Sequence, residues 1–153
     1  MRICWEEFCL NLAVVASKRS EDPHKQVGAC ALDHDHRVLG VAYNGLASGK
    51  NVPNSFWDDR NKRRPFMLHA EVNMCSLFKR KEASMLACTL LPCTSCAQMI
   101  AAWGIPKVIY LEEYTKDQTA KEIFKFYGIE LLKLDRDPDA EMLVPGYNHN
   151  SIV

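Results

Sequence analysis

Two short segments carry residue types that can do chemistry together: His69-Ala70-Glu71 and Pro92-Cys93-Thr94-Ser95-Cys96. Two thiolates and a neutral imidazole fill three corners of a tetrahedron around Zn²⁺ and leave the fourth for water, the pattern of a catalytic zinc site. Cys93 and Cys96 are three residues apart and face one side of a helix. At the first turn of that helix, free N–H groups and the macrodipole lower thiol pKa values and favour thiolates. His69 and Glu71 are only two apart and would point to nearly opposite sides in mid-helix. They can converge on one metal only where the chain enters a helix at or just before His69. Pro65 and the onset of apolar periodicity near Leu68 put that entry in the right place.

Glu71 is then surplus as a ligand but within reach of metal-activated water. Zinc lowers the pKa of that water toward ~7, and a carboxylate beside it can take the proton and later deliver it. Hydrolytic deamination needs this shuttle, because the amine-bearing ring carbon is attacked, the adjacent ring nitrogen gains a proton and ammonia leaves. A structural zinc site or a redox Cys-x-x-Cys has no use for Glu71, and a structural site would close with a fourth nearby ligand. The other cysteines, Cys4, Cys9, Cys30, Cys75 and Cys88, read as buried small apolar residues. A second metal site recruiting Cys30 lacks an obvious partner set. His24, His34, His36 and His149 lie in polar surroundings and are expected at the surface.

The elements that must position these residues follow from periodicity and breakers. Trp5, Phe8, Cys9, Leu12 and Val15 recur at helical spacing up to Lys18-Arg19, and Ser20-Glu21-Asp22-Pro23 ends the pattern. Residues 26–32 and 37–43 read as a β-hairpin turning at Asp33-His34-Asp35-His36. Residues 44–66 form a long loop with little periodicity, a type that is often functional in compact domains. A helix over 69–81, a buried strand over 84–91 and a helix over 94–103 ended by Gly104 and Pro106 follow. Next come a strand over 107–111, a helix over 117–127 with Ala120, Ile123, Phe124 and Tyr127 inward, and a strand over 129–134. A helix between those last two strands favours parallel pairing through a right-handed crossover. The expected fold is a three-layer α/β/α domain with a mixed five-stranded sheet, its last two strands parallel. Residues 1–153 form one domain, with 135–153 a loosely packed C-terminal tail.

The chain has 153 residues, 48% of them hydrophobic, with nineteen basic side chains balancing nineteen acidic ones. That balance gives no global field for tRNA or duplex DNA, so a small substrate fits better and no nucleic-acid partner is expected. Early acids at the amino terminus and the lack of an apolar run near eighteen residues argue for a cytoplasmic protein without a membrane partner. Seven cysteines, an odd number, fit reduced thiols rather than a disulfide framework.

The combination of His-x-Glu with Pro-Cys-x-x-Cys is the signature of zinc nucleobase deaminases. Within that superfamily the chain resembles the deoxycytidylate (dCMP) deaminase family over most of residues 9–134. The resemblance runs through Lys18-Arg19-Ser20-Glu21-Asp22-Pro23, Gln26-Val27-Gly28-Ala29-Cys30, Tyr43-Asn44-Gly45, His69-Ala70-Glu71-Val72-Asn73 and Leu91-Pro92-Cys93-Thr94-Ser95-Cys96-Ala97. The zinc pair marks the superfamily, and the first three segments narrow it.

The resemblance implies a cytidine-deaminase-like fold, one catalytic Zn²⁺ per chain and conversion of dCMP to dUMP, the precursor for thymidylate synthesis. It implies that Asn44 contacts the sugar, that the Ala70 N–H meets the pyrimidine carbonyl, and that backbone near Leu91 accepts from the exocyclic amine. It further implies a homo-oligomer, often a hexamer, with dCTP and dTTP as effectors near the Tyr-Asn-Gly loop. Family members usually have Gly-Tyr-Asn-Gly followed by a proline and a glycine; this chain has Ala42-Tyr43-Asn44-Gly45-Leu46-Ala47-Ser48-Gly49.

Several residues keep two readings. Arg60, Lys62, Arg63 and Arg64 could grip a nucleotide phosphate or form a solvated face, and Lys18, Arg19 and Lys25 compete for the phosphate. Tyr114, beyond the fourth strand, could stack on the base or simply pack. Rival substrates are dCTP, cytosine, a nucleoside such as cytidine, guanine and tRNA adenosine. The rival from a different class is a catalytically silent nucleotide-binding regulator.

Overall fold

A computed structural model describes residues 2–135; the expected tail beyond Asp135, with His149, lies outside the described residues. Strands β1 (Gly28–Asp33), β2 (Val38–Tyr43), β3 (Ala83–Leu90), β4 (Lys107–Glu112) and β5 (Glu130–Lys133) form one sheet in the order β2-β1-β3-β4-β5. β1 pairs antiparallel with both β2 and β3, while β3–β4 and β4–β5 are parallel. The expected mixed five-stranded sheet is therefore present, and its parallel part extends one strand further than the last pair.

Side chains alternate across this sheet. Cys30 and Leu32 of β1, Met85 and Ala87 of β3 and Ile109 of β4 pack beneath helix α1 (Trp5–Ser17). Ala29, Ala31, Leu86, Cys88, Val108 and Tyr110 face the other layer. That layer holds α3 (Ala70–Cys75), α4 (Thr94–Ala102) and α5 (Thr119–Phe126), which contribute Ala70, Met74, Ala97, Ile100, Ala120 and Phe124 to the core. The result is the expected α/β/α sandwich.

Helix α1 buries a different stripe from the one its large apolar residues suggest. Cys9, Leu10, Ala13, Val14, Ala16 and Ser17 are inside, whereas Trp5 and Val15 are 46% and 55% exposed. The cause is the closeness of helix and strand. A Cβ added at Gly28 would lie 1.9 Å from the Ala13 carbonyl oxygen and 2.6 Å from the Ser17 nitrogen. Small residues, not bulky ones, mark such a contact. Cys4 is exposed rather than buried and closes a capping box with Glu7 at the start of α1. His36, expected to be exposed, is half-buried and stacked on the Trp5 ring.

The other elements differ from expectation mainly at their ends. Between β2 and α3, the expected loop contains 3₁₀ turns and the four-residue helix α2 (Arg60–Arg63). α3 stops at Cys75, six residues before the expected Lys81, because Leu77 N–H closes a tight turn on Met74 C=O and the chain must reverse into β3. In α5, Ala120 and Phe124 are buried and Ile123 is half-buried, but Tyr127 is 62% exposed.

The Gly28 contact generates a measurable expectation. Gly28→Ala forces a methyl into helix backbone that no rotamer change can move aside, so the destabilisation should reach the upper part of the ~1–3 kcal/mol overpacking range. Denaturant melts of the variant and parent check it; equal midpoints would refute the close helix–strand approach.

Candidate metal and catalytic site

Both metal-directed segments lie at helix starts. His69 is the residue before α3, with extended backbone at φ −71°, ψ 151°, and Cys93 is the residue before α4 at φ −73°, ψ 171°. Because His69 stands outside the helix, its ring is released from helical spacing and meets the thiols while Glu71 sits in the first turn. The condition set by the i, i+2 spacing is thus met. A two-residue bridge fixes the approach: Gly45 N–H donates to Leu68 C=O at 3.0 Å, and Leu68 N–H donates to Gly45 C=O at 2.8 Å.

His69 Nδ1 lies 3.5 Å from Cys93 Sγ and 3.3 Å from Cys96 Sγ, and the three donor atoms all fall within 4.8 Å of one another. Tetrahedral zinc with bonds of ~2.0–2.3 Å needs donors spaced by about 3.5–3.8 Å. The cluster fits that ion. The thiols also divide their charge unevenly: Cys93 is pulled down to about 4, chiefly by its hydrogen bond with Cys96 and then by His69, while Cys96 is pushed up by the same contact. One negative charge is what the pair sustains alone. A dication facing both sulfurs is what lets the second ionise.

Glu71 is only 4% exposed, and burial pushes its carboxyl above the ordinary range. Cys75 of α3 and Cys88 of β3 pack in the same core beside Ala70, and burial raises both thiols, Cys75 to about 12. Neither can act as a thiolate, so both belong to the apolar floor under the carboxylate. A carboxyl that burial makes hold its proton more tightly, beside a three-donor pocket, is a group poised to take and return protons.

The remaining sequence candidates are distributed as follows. Ala70, fully buried, opens α3, and the N-cap residue His69 offers no side-chain bond to the first-turn N–H groups. Leu91 is buried just beyond β3, with its N–H on Glu112 C=O at 2.8 Å. Asn44 spends one amide hydrogen on Lys25 C=O at 2.9 Å and accepts Val27 N–H at 2.8 Å. Tyr114 packs partly against the core after β4. Lys25 pairs with Glu112 at 2.5 Å in a cleft shared with Lys18, His24 and Gln26, whereas Arg19 lines a separate cleft with Tyr43, Leu46 and Asn73. Arg60 and Arg64 are exposed, and the Arg64 charge acts on His69.

Arg63 takes no part in an exposed basic face. It is buried and donates to the buried Asp22 carboxylate at 2.9 Å, and Asp22 in turn accepts the N–H groups of His24 and Lys25. No local pattern exposes this pair, because its partners are 41 positions apart. Asp117, also absent from the sequence candidates, accepts Thr94 N–H at 2.9 Å and Thr94 O–H at 2.6 Å with one oxygen, and Thr119 N–H at 3.0 Å with the other. A weak local signal existed, since aspartate two residues before a helix-compatible threonine suits a helix start. Nothing local points to Thr94.

A three-donor pocket for zinc with a buried carboxylic acid beside it, mounted on two helix starts against a mixed sheet, defines a hydrolytic metal site of the nucleobase-deaminase class. Residues 3–112 match the family model for the cytidine and deoxycytidylate deaminase zinc-binding region. The chain belongs to this family and is a zinc-dependent deaminase. It is 29% identical to deoxycytidylate deaminase of Mus musculus, over 84% of this chain and 79% of that protein. It is 32% identical to deoxycytidylate deaminase of Mycobacterium phage D29, over 71% of this chain and 95% of that protein. The crystal structure of dCMP deaminase from the cyanophage S-TIM5 in complex with dCMP and dUMP superposes with a TM-score of 0.74 at 27% identity, over 88% of this chain and 99% of that one.

The Glu71 environment makes a pH-dependent expectation. The folded state binds the Glu71 proton more tightly than the unfolded state, so rising pH costs the wild type stability that a neutral glutamine does not lose. In zinc-stripped protein, Glu71→Gln should be the more stable form at pH 8, with its advantage shrinking as pH falls and vanishing below about 4.3, the ordinary glutamate value. Paired thermal melts across that range check it. A constant difference would show that the carboxyl is not perturbed by burial.

Proposed function

We propose that the chain hydrolyses dCMP to dUMP and ammonia, using His69, Cys93 and Cys96 to hold one Zn²⁺ and Glu71 to move the protons. The observation that carries this reading is the buried Glu71 carboxyl beside three donors spaced for zinc. Zinc bound there supplies Lewis acidity that makes water deprotonatable near neutral pH. Glu71 takes a proton from water as the water oxygen bonds to the amine-bearing carbon, and passes that proton to the adjacent ring nitrogen. It then carries the proton of the new C–OH group to the amine, and the C–N bond breaks to release ammonia as the carbonyl forms.

The other residues orient the base and sugar. Ala70 N–H, at the uncapped start of α3, donates to the pyrimidine carbonyl, and backbone at Leu91 accepts from the exocyclic amine. Asn44 keeps one amide hydrogen and one oxygen lone pair beyond those used for Lys25 and Val27, enough for a sugar hydroxyl. Tyr114 stacks on the base. For the phosphate, Lys25 is favoured over Arg19, Arg60 and Arg64: it is held on a braced loop and paired with Glu112, whose backbone bonds Leu91, two residues before Cys93. The same proposal includes a homo-oligomer, a hexamer by family resemblance. Exposed Val41, Tyr43, Val72 and Leu77 support association. It places dCTP and dTTP in the cleft of Arg19, Tyr43, Lys50 and Asn73. It locates the protein in the cytoplasm, which its free cysteines support; no helix among the described residues is long and apolar enough to cross a membrane.

Ammonia release from dCMP, dCTP, CMP, deoxycytidine and cytosine tests the substrate. The highest kcat/KM is expected for dCMP, and no turnover of any of them at full zinc occupancy would sink the deaminase reading, leaving the silent regulator. Glu71→Gln should retain zinc and fold while losing at least ~10²-fold in kcat, the scale of general acid–base assistance. Near-normal turnover would remove Glu71 from the mechanism.

A further inference from the structure

The start of α4 has an unusual need. The residue in its N-cap position is Cys93, whose sulfur faces His69 and makes no bond to the helix's own first-turn N–H groups. Those donors go unsatisfied unless something else reaches them. The structure provides a substitute from the loop between β4 and α5. Asp117 Oδ2 receives both the backbone N–H of Thr94, at 2.9 Å, and its hydroxyl, at 2.6 Å. Thr94 is the first residue of α4 and lies between the two cysteines. Asp117 is itself held from both sides: Oδ1 accepts Thr119 N–H at 3.0 Å, and its own N–H donates to Tyr114 C=O at 3.2 Å. The loop is braced further by Gln118 on Tyr114 C=O at 2.7 Å and by Lys121 on Glu113 at 2.9 Å.

We propose that Asp117 is a positioning residue for the metal centre, a cap supplied from a distant loop that fixes the Cys93–Cys96 turn and thereby sets how tightly the zinc is held. The inference rests on the zinc reading given above. It rests on geometry: one carboxylate oxygen gathers two donors from the residue between two ligands, the other accepts Thr119 N–H at the start of α5, and the Asp117 N–H ties the same loop to Tyr114 C=O. The Thr94 hydroxyl and N–H, followed by Thr119, hold the Asp117 carboxyl well below the usual carboxylate range, so it stays an acceptor at any pH where zinc binds. Partners that orient metal ligands are worth ~10–100-fold in metal affinity.

The test challenges zinc-loaded protein with a chromogenic chelator and reads the zinc dissociation constant at a temperature where each variant is fully folded by circular dichroism. Asp117→Asn, which keeps shape but leaves one neutral oxygen to serve Thr94 and Thr119 where the carboxylate offers two charged ones, should raise the constant by at least tenfold. Thr94→Val, which removes only the hydroxyl, should raise it less. The double variant should resemble Asp117→Asn alone, because both changes act through one contact. Lys121→Ala loosens the same loop without touching Thr94 and should leave the constant within twofold. Unchanged zinc affinity in Asp117→Asn overturns the proposal, as does an equal loss in Lys121→Ala, which would assign the effect to general loop stability. If Asp117→Asn does not fold, the ratio of Thr94→Val to Lys121→Ala decides by itself. Failure of the parent protein to bind zinc overturns the metal reading instead, so the two are distinguishable.

Discussion

Everything in the site depends on one constraint: two helix starts, α3 and α4, must bring their N-cap residues to a common point. An N-cap position has extended backbone and stands half outside the helix. Only there can His69 turn its ring toward Cys93 and Cys96 while Glu71, two residues on, enters the first turn and stays buried. Moving either helix start by one residue would rotate its donor by about 100° and break the cluster. The sheet enforces the meeting. Its parallel central strands β3 and β4 leave their carboxyl ends side by side, with Leu91 and Glu112 joined by backbone, so that the turn carrying Cys93 emerges beside the β4–α5 loop.

The layers beneath perform complementary tasks. The close approach of α1 to β1 at Gly28 brings helix and strand backbones nearly into contact on one side of the sheet. The opposite side is filled by small and medium side chains such as Ala70, Ala97, Cys75 and Cys88, which let two short helices dock their first turns near the sheet. A carboxylate placed in that packing loses water, and this is why Glu71 has a raised proton affinity.

The chemistry was the most legible part of the chain. Cysteine pairs at helical spacing and a histidine two residues from a glutamate carry their geometry with them, since ligand spacing is a local property. The order of elements was also readable, because Gly104, Pro106 and Gly128 punctuate the apolar periods. What escaped was of two kinds. The buried stripe of α1 depends on how near the strand approaches, and large apolar residues mislead when contact favours Ala13 and Ser17. Arg63–Asp22 and Asp117–Thr94 join positions far apart in sequence, so no local pattern exposes them. A run of basic residues looked uniform although one member, Arg63, was a buried structural cation.

The unequal treatment of the two helix starts has a consequence for how such a site can change. α4 has its first N–H occupied by Asp117, whereas α3 leaves Ala70 and its neighbours without a side-chain cap. One end is therefore committed to internal order, and the other is left with unspent hydrogen-bonding capacity that an incoming molecule can complete. Change in the β4–α5 loop therefore bears on the start of α4 alone, whereas change in the turn before α3 bears at once on His69 and on the open donors beside it, so the second segment is the less free of the two to drift.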